Sequence, residues 1–350
     1  MGVVRIGRYQ LGDGQAPFVI GEVGINHNGE VERALAMIDA GKQAGCDSVK
    51  FQTFKAEELV IDPSVTHTYK SQGRDVTEPQ IDMFRRYELG AGEFRRLKQR
   101  CDEQGLVFLS TPQNRSDLDL LLDIGVEAVK VGSDDFSNIP LLKSYAETGL
   151  PLLLSCGMAD MGEVYQSLQA VGALDGYPVV LLYCVSLYPT PPEEVNLNRL
   201  GTLRRAFPDI PMGFSDHTSG PLASALAATM GACLFEKHFT LSHDLPGPDH
   251  WFSEEPAELK LWADGIRQAH RMLGSPLVRP TAREAEMRAI ARRSIVILKD
   301  VAAGETLTPA NTGLRRPGTG IAPVMLDKVI GKRASRVLKR GELLAFGDFT

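Results

Sequence analysis

Residues 48–53 read SVKFQT, and residues 232–239 read ACLFEKHF. Each is an apolar run of strand length with polar residues two apart near its end. The first carries Lys50 and Gln52, the second Glu236 and His238. Side chains alternate along a strand, so residues i and i+2 share a face. Near-continuous apolar character predicts strands covered on both sides, as in a parallel sheet.

Six further runs lie outward from these two: Phe18–Val23, Val107–Thr111, Ala128–Gly132, Pro151–Ser155, Val179–Val185 and Ile210–Ser215. Helical spacing fills the gaps, with Val31, Leu35 and Ile38, then Phe94, Leu97 and Cys101, then Leu259, Trp262, Ile266 and Leu273. Gly45, Gly105, Gly125 and Gly274 stand where such helices stop. Eight βα units over roughly 250 residues fit an α/β fold closed into a (β/α)8 TIM barrel, with a doubly wound open sheet as the alternative. The barrel is expected to span residues 1–274. The stretch from Lys55 to Gly90 is too long for a simple connection and predicts either a lid or a decorative loop, with a helical fragment near Ile81–Tyr87. Residues 275–291 read as a linker or linker helix. Short β-type runs at Ser294–Leu298, Gly313–Arg315, Arg333–Ala334 and Leu343–Ala345 predict a small domain over 292–350.

Composition narrows the function. The chain has 350 residues, 43% apolar, with a net charge of −6. That balance argues against non-specific nucleic-acid binding, yet a local basic cluster can still hold an anion. No apolar stretch is long enough for a membrane span, and the first residues do not read as a leader peptide. The five cysteines include no CxxC and read as buried thiols of a reducing compartment. The expected location is the cytoplasm. His67 and His270 belong to no motif and read as surface residues.

In a barrel, the carboxyl ends of the strands face one mouth. Glu22, Lys50, Gln52, Ser110, Thr111, Lys130, Ser133, Ser155, Ser215, His217, Glu236 and His238 all fall at or near such ends. Burying so many polar groups is costly unless they pair with one another or with a ligand. Lys50 and Lys130 sit within apolar strands and need counter-charges. Glu22 or Glu236 could supply them; so could a ligand carrying a phosphate and a carboxylate, with nearby hydroxyls donating to the same oxygens. His217 and His238 end neighbouring strands. Two imidazoles with water and substrate oxygens suit a divalent ion, Mn²⁺ better than Mg²⁺ on ligand type. A hydrogen-bonded structural histidine is the other reading.

The chain resembles the sialic acid synthase family along almost its whole length. The resemblance is carried by Glu22-Val23-Gly24-Ile25-Asn26-His27-Asn28-Gly29, Val49-Lys50-Phe51-Gln52-Thr53, Ser110-Thr111-Pro112 and Lys130-Val131-Gly132-Ser133. It continues through Ser155-Cys156-Gly157-Met158, Tyr188-Pro189-Thr190, Phe214-Ser215-Asp216-His217-Thr218, Glu236-Lys237-His238-Phe239-Thr240 and Pro246-Gly247-Pro248-Asp249-His250. It implies a TIM barrel followed by a small antifreeze-like SAF domain of β-clip type, in a domain-swapped homodimer. It also implies condensation of phosphoenolpyruvate with an N-acetylated amino-sugar such as N-acetylmannosamine. On that resemblance Lys50, Thr111, Lys130, Ser133, Ser155 and Ser215 hold phosphoenolpyruvate, and His217 and His238 hold the metal. Glu22 acts at the carbon that becomes cationic, with Lys50, Lys130 and His238 also catalytic. Gln52, Asp135, Tyr188 and Asp249 contact the sugar, and Arg316 of Arg316-Pro317-Gly318-Thr319-Gly320 contacts its N-acetyl group. Departures from the commoner pattern fall on the sugar side: Ser133-Asp134-Asp135, Tyr183-Cys184-Val185-Ser186 and His250-Trp251-Phe252. A 2,4-diacetamido-trideoxyhexose is therefore the second acceptor, giving a legionaminic-type acid. A sugar phosphate would require a second basic cluster, for which only Arg316 and Arg115 offer themselves. A non-catalytic glycan-binding protein would show eroded strand ends, and these are intact.

Overall fold

A computed structural model describes residues 2–350, which form two compact units, residues 2–274 and 275–350. Eight parallel strands build the first unit: Phe18–Gly24, Ser48–Thr53, Val107–Pro112, Val129–Val131, Leu152–Ser155, Val179–Cys184, Met212–Asp216 and Ala232–His238. The registered ladders run in the order three, two, one, eight, seven, six, five, four. Strands three and four lie side by side and bring the ring to closure. The structure is thus the TIM barrel, not the open sheet.

Alternation along the strands splits the core into two layers. Val19, Val49, Phe51, Phe108, Leu154, Leu181, Phe214 and Phe235 face outward and pack on helices 31–44, 91–104, 115–124 and 256–273. The opposite face fills the barrel with Phe18, Ile20, Leu109, Leu153, Val180, Leu182 and Leu234. Two residues further along the same face, the side chains become Glu22, Thr111, Ser155, Cys184 and Glu236. The barrel interior therefore passes from hydrocarbon to polar groups within one step of the pleat.

An N-terminal hairpin, Val4–Ile6 with Tyr9–Leu11, plugs the apolar end through Val4, Ile6 and Leu11. Strands of three residues span barely one period of alternation, which is why the sequence pattern passes over them. The 55–90 insertion is also more ordered than a loop. It forms a short helix Ala56–Leu59, a hairpin Thr66–Ser71 with Arg74–Pro79, and a helix Gln80–Tyr87. Its turn places Gln72 and Gly73 at φ 51° and 75°, the two-residue hairpin geometry that favours glycine. Ile25, Phe54, Met83 and Tyr87 root it in a core of its own. Two hydrogen bonds fasten the hairpin to the loop after the eighth strand: Gln72 Nε2 to the Asp244 carbonyl at 2.8 Å, and Gly247 N–H to Ser71 Oγ at 3.0 Å.

The second unit pairs Ser294–Ile297 with Thr312–Arg315 and closes by isolated bridges such as Thr306 with Arg333 and Ala334 with Phe349. Its core is Ile295, Ile297, Val301, Leu307, Val329, Leu338 and Leu344. The expected linker is not featureless. Thr281 caps a helix over Ala282–Ala291, whose Ala289 carbonyl accepts from Gly318 N–H at 2.8 Å. Among the described residues, no helix is long and apolar enough to cross a membrane.

The plug is testable. Ile6 is fully buried. Ile6→Ala should destabilise the barrel by about 2–5 kcal/mol, the usual range for a buried large-to-small change. Chemical denaturation reads the loss, and the folded protein should keep its turnover, because the plug sits at the apolar end.

Candidate active site

The polar ends of the strands surround a cavity of about 550 Å³. Glu22, Lys50, Gln52, Thr111, Lys130, Ser133, Ser155, Tyr188, Ser215, His217, Glu236 and His238 all line it. At its floor lies a chain of buried charges. Lys50 Nζ sits 2.8 Å from Glu22 and 3.8 Å from Glu236, and Lys130 Nζ lies 3.7 Å from Glu236. All four side chains are nearly inaccessible to water. Burial drives the Glu22 carboxyl up to about 7, with Glu236 adding to the effect against the pull of Lys50. Glu236 goes the other way. Burial would raise it, but Lys130 and Lys50 together hold it below its usual range. Burial also depresses Lys130, whereas for Lys50 the carboxylates of Glu22 and Glu236 outweigh burial and raise it.

Hydroxyl groups complete the floor. Lys50 donates to Thr111 Oγ1 at 3.0 Å and Lys130 to Ser155 Oγ at 2.8 Å. Ser133 Oγ accepts from Gly157 N–H at 3.0 Å. Each of these hydroxyls uses a lone pair on its partner and keeps its own O–H to donate. Ser215 differs, since it donates to Glu236 at 3.1 Å. Gly157 must lack a side chain, because a Cβ would meet Ser186 Oγ at 2.4 Å and Ser133 Oγ at 2.6 Å. Gly24, at φ 53°, is likewise required where the first strand bulges past Glu22. A cradle with two ammonium groups and convergent O–H donors suits a small polyanion.

On the opposite wall the His217 and His238 rings stand 5.6 Å apart, with Tyr188 4.1 Å from His217. His217 Nδ1 lies 2.8 Å from the Val185 carbonyl, which places a proton on Nδ1, so that in the neutral ring Nε2 is the nitrogen able to accept or ligate. His238 is held well below the ordinary histidine range by burial and by His217, so its ring is neutral. Its Nδ1 and the Ser186 Oγ are buried without a hydrogen-bond partner. No cluster of three or more acidic, thiol or imidazole ligands exists among the described residues. Two imidazoles with open positions for water and substrate oxygens still fit a divalent ion. Behind this wall Lys237 points outward to Asp216 at 3.3 Å and Glu254 at 3.4 Å, and it donates to the Thr218 and Gly220 carbonyls. Asp216 in turn accepts from Ser224, itself held by Trp262. This network fixes the turn that carries His217.

Several expectations need correction. Ser110 does not face the cavity; it hydrogen-bonds Thr53 at 2.6 Å on the helix-facing side of its strand. Asp135 is not among the lining residues. Its carboxylate accepts from Asn138 Nδ2 at 2.9 Å in the turn before helix Ile139–Ala146, and Asp134 lines the cavity instead, folded over Gly132. Asp249 lies in an adjoining chamber, where burial pushes its carboxyl up to about 6. His67 is exposed, as a surface residue should be, and the hairpin also brings it to the rim of both chambers. Arg115 is engaged elsewhere, with Asp119 at 2.9 Å and the Ser144 carbonyl at 2.9 Å. Arg316 lies exposed in the second unit. Cys184 and Ser186, two apart at the end of strand six, line the cavity, in the run whose departure from the family pattern falls on the sugar side.

The comparisons with known proteins agree with this geometry. The model of the NeuB family matches residues 37–277, and that of the SAF domain matches residues 292–350. The chain is 38% identical to an N,N'-diacetyllegionaminic acid synthase of Legionella pneumophila over 338 residues, 95% of this chain and 94% of the relative. It is 35% identical to the human N-acetylneuraminate-9-phosphate synthase over 75% of this chain and 73% of the relative. Among solved structures, an N-acetylneuraminic acid synthetase from Leptospira borgpetersenii, crystallised with citrate, superposes with a TM-score of 0.73 at 31% identity. That match covers 82% of this chain and 96% of the other. With the barrel, its charged floor and both family models in agreement, the chain belongs to the NeuB family of sialic-type acid synthases and ends in a SAF domain.

Proposed function

We propose that this enzyme condenses phosphoenolpyruvate with a 2-acetamido-aldose and releases inorganic phosphate. The observation that carries the reading is the charged floor. Lys50 and Lys130 lie beside hydroxyls whose O–H groups remain free to donate, within one cavity with two imidazoles. Such a cradle suits the phosphate and carboxylate of an enol phosphate, with Thr111, Ser133 and Ser155 as donors. Ser215 joins them on turning its proton away from Glu236.

Carbon 3 of the enol phosphate forms the new bond to the aldehyde carbon of the open-chain sugar, and the aldehyde oxygen takes up a proton. Positive charge develops at carbon 2, next to the Glu22 carboxylate. Water adds there and gives up a proton, for which Glu22 is the base. The carbon–oxygen bond to phosphate then breaks and leaves the keto acid. His217 and His238 would hold a divalent ion, Mn²⁺ on ligand type, and that ion would supply Lewis-acid polarisation of the aldehyde oxygen. Gln52, Tyr188, Asp134 and Asp249 would meet sugar hydroxyl or amide groups, and Arg316 is assigned to the N-acetyl group through the resemblance.

N-acetylmannosamine and a 2,4-diacetamido-trideoxyhexose are both candidate acceptors. Similarity to enzymes named for diacetyllegionaminic acid, from Legionella pneumophila and Campylobacter jejuni, favours the second. Phosphate release should be measured with each; release with neither overturns the reading.

Two variants test the roles. His238→Ala should remove metal-dependent turnover while circular dichroism stays unchanged; unaltered turnover would refute the metal assignment. Lys130→Met should lower kcat/KM for phosphoenolpyruvate roughly 100-fold or more, since it removes a buried charge from the anion cradle.

The pH profile supplies a further check. Glu22 titrates at about 7 and acts as the carboxylate. Turnover should therefore rise with pH through that region and level off above it. Glu22→Gln should lose the acidic limb together with roughly 100-fold or more in rate. An unchanged limb would assign it to another group.

A further inference from the structure

Lys237 stands between Glu236 and His238 but faces away from both, and the cavity makes no use of it. It is almost wholly withdrawn from water, as are Asp216 and Glu254 beside it. A barrel does not need buried charges to hold together, because well-packed apolar side chains commonly serve as well. Its contacts show what these charges hold. In the ladder between strands seven and eight, Ser215 pairs with Glu236 and Asp216 pairs with Lys237. The next residue on each strand is a histidine of the candidate metal pair. The 3.3 Å ion pair between Lys237 and Asp216 is therefore a cross-strand clasp, one residue before both His217 and His238.

Glu254 closes the clasp. Its backbone N–H donates to the His238 carbonyl at 3.0 Å. Its carboxylate lies 3.4 Å from Lys237 Nζ and accepts from Gly220 N–H at 2.8 Å, in the turn that follows His217. One residue thus grips both histidine-bearing segments. In the same turn Asp216 accepts from Thr218, from its N–H at 2.9 Å and its hydroxyl at 2.8 Å. Lys237 donates to the Gly220 carbonyl at 3.2 Å and to that of Thr218. Ser224 and Trp262 root the clasp in helices Leu222–Thr229 and Pro256–Leu273.

The consequence is geometric. Two imidazoles serve one ion only if both nitrogens reach it together, within about 0.2 Å of the proper bond length. When the protein offers just two ligands, affinity depends strongly on how well that pair is pre-set by the groups behind it. The anion cradle has other supports, since Lys50, Thr111, Lys130 and Ser155 stand on strands two to five.

We infer that Lys237, Asp216 and Glu254 are positioning residues for the metal pair. They set the separation of His217 and His238, and with it the affinity for a divalent ion, and touch neither the ion nor the substrates. The inference rests on the metal assignment made in the synthase reading above.

The test measures Mn²⁺ binding to the full-length enzyme, first stripped with a chelator. Titration is followed by loss of the free-ion electron paramagnetic resonance signal, and steady-state turnover is measured in parallel. Lys237→Met should raise the Kd for Mn²⁺ about 10–100-fold, the usual effect of disturbing groups behind metal ligands. That variant strands two buried carboxylates and risks the fold. Glu254→Ala leaves Lys237 and Asp216 as a balanced pair and is the safer change; it should raise the Kd about tenfold. Added Mn²⁺ should rescue both variants, with kcat at saturating metal within about threefold of native and the phosphoenolpyruvate KM within about twofold. General loosening of the barrel would instead lower kcat at every metal concentration and raise the phosphoenolpyruvate KM in step. That outcome, or a Kd in Glu254→Ala within about twofold of native, would overturn the inference and leave the metal assignment standing. Native enzyme that binds no Mn²⁺, or His238→Ala that binds it as the native enzyme does, would remove the assignment itself and this inference with it.

Discussion

The row Glu22–Lys50–Glu236–Lys130 is the constraint on which the rest depends. Four ionisable groups withdrawn from water each carry a desolvation penalty of several kcal/mol, tolerable only when the charges compensate one another. Compensation here is incomplete by design of the strands. Glu236 serves two ammonium groups, and Lys130 has only that one carboxylate near it. Glu22, raised to about 7, contributes only part of a negative charge near neutrality. The floor is therefore left with an excess of positive potential in a low-dielectric setting, where an arriving anion gains most.

The fold supports that row in layers. Below it lie the hydrocarbon filling and the N-terminal hairpin, all buried apolar side chains. Beside it the outward-facing Lys237, Asp216 and Glu254 form a second ionic network that never touches the cavity. Adjacent residues of one strand thus serve opposite ends: Glu236 and His238 face the chemistry, and Lys237 anchors the turn that holds His217. Period-two alternation makes this division automatic.

The same alternation explains what could be read from sequence. Strand runs with charged residues two apart named the floor, because only a barrel makes eight strand ends converge. Single residues depart from that reading for two reasons, the alternation itself and its end. Ser110 lies one step before the inward-facing Thr111 and so points to the helices. Asp134 and Asp135 follow the fourth strand, where turn geometry, not pleat, decides that the first enters the cavity and the second caps a turn. The inserted hairpin left only a weak trace, the Gln72-Gly73 turn between polar strands, because exposed strands lack the apolar alternation that identifies buried ones. The N-terminal hairpin escaped notice because it is too short to establish a period.

The hydroxyls of the floor have one more implication. Thr111 and Ser155 accept from ammonium groups and Ser133 accepts from a backbone amide, which leaves each hydroxyl its own proton to donate. Together with the lysines they give the floor more donors than the Glu22 and Glu236 carboxylates use. A guest whose oxygens carry no proton makes fullest use of them. The pocket thus discriminates by protonation state as well as by shape, and favours the fully ionised form of its anion over the singly protonated one.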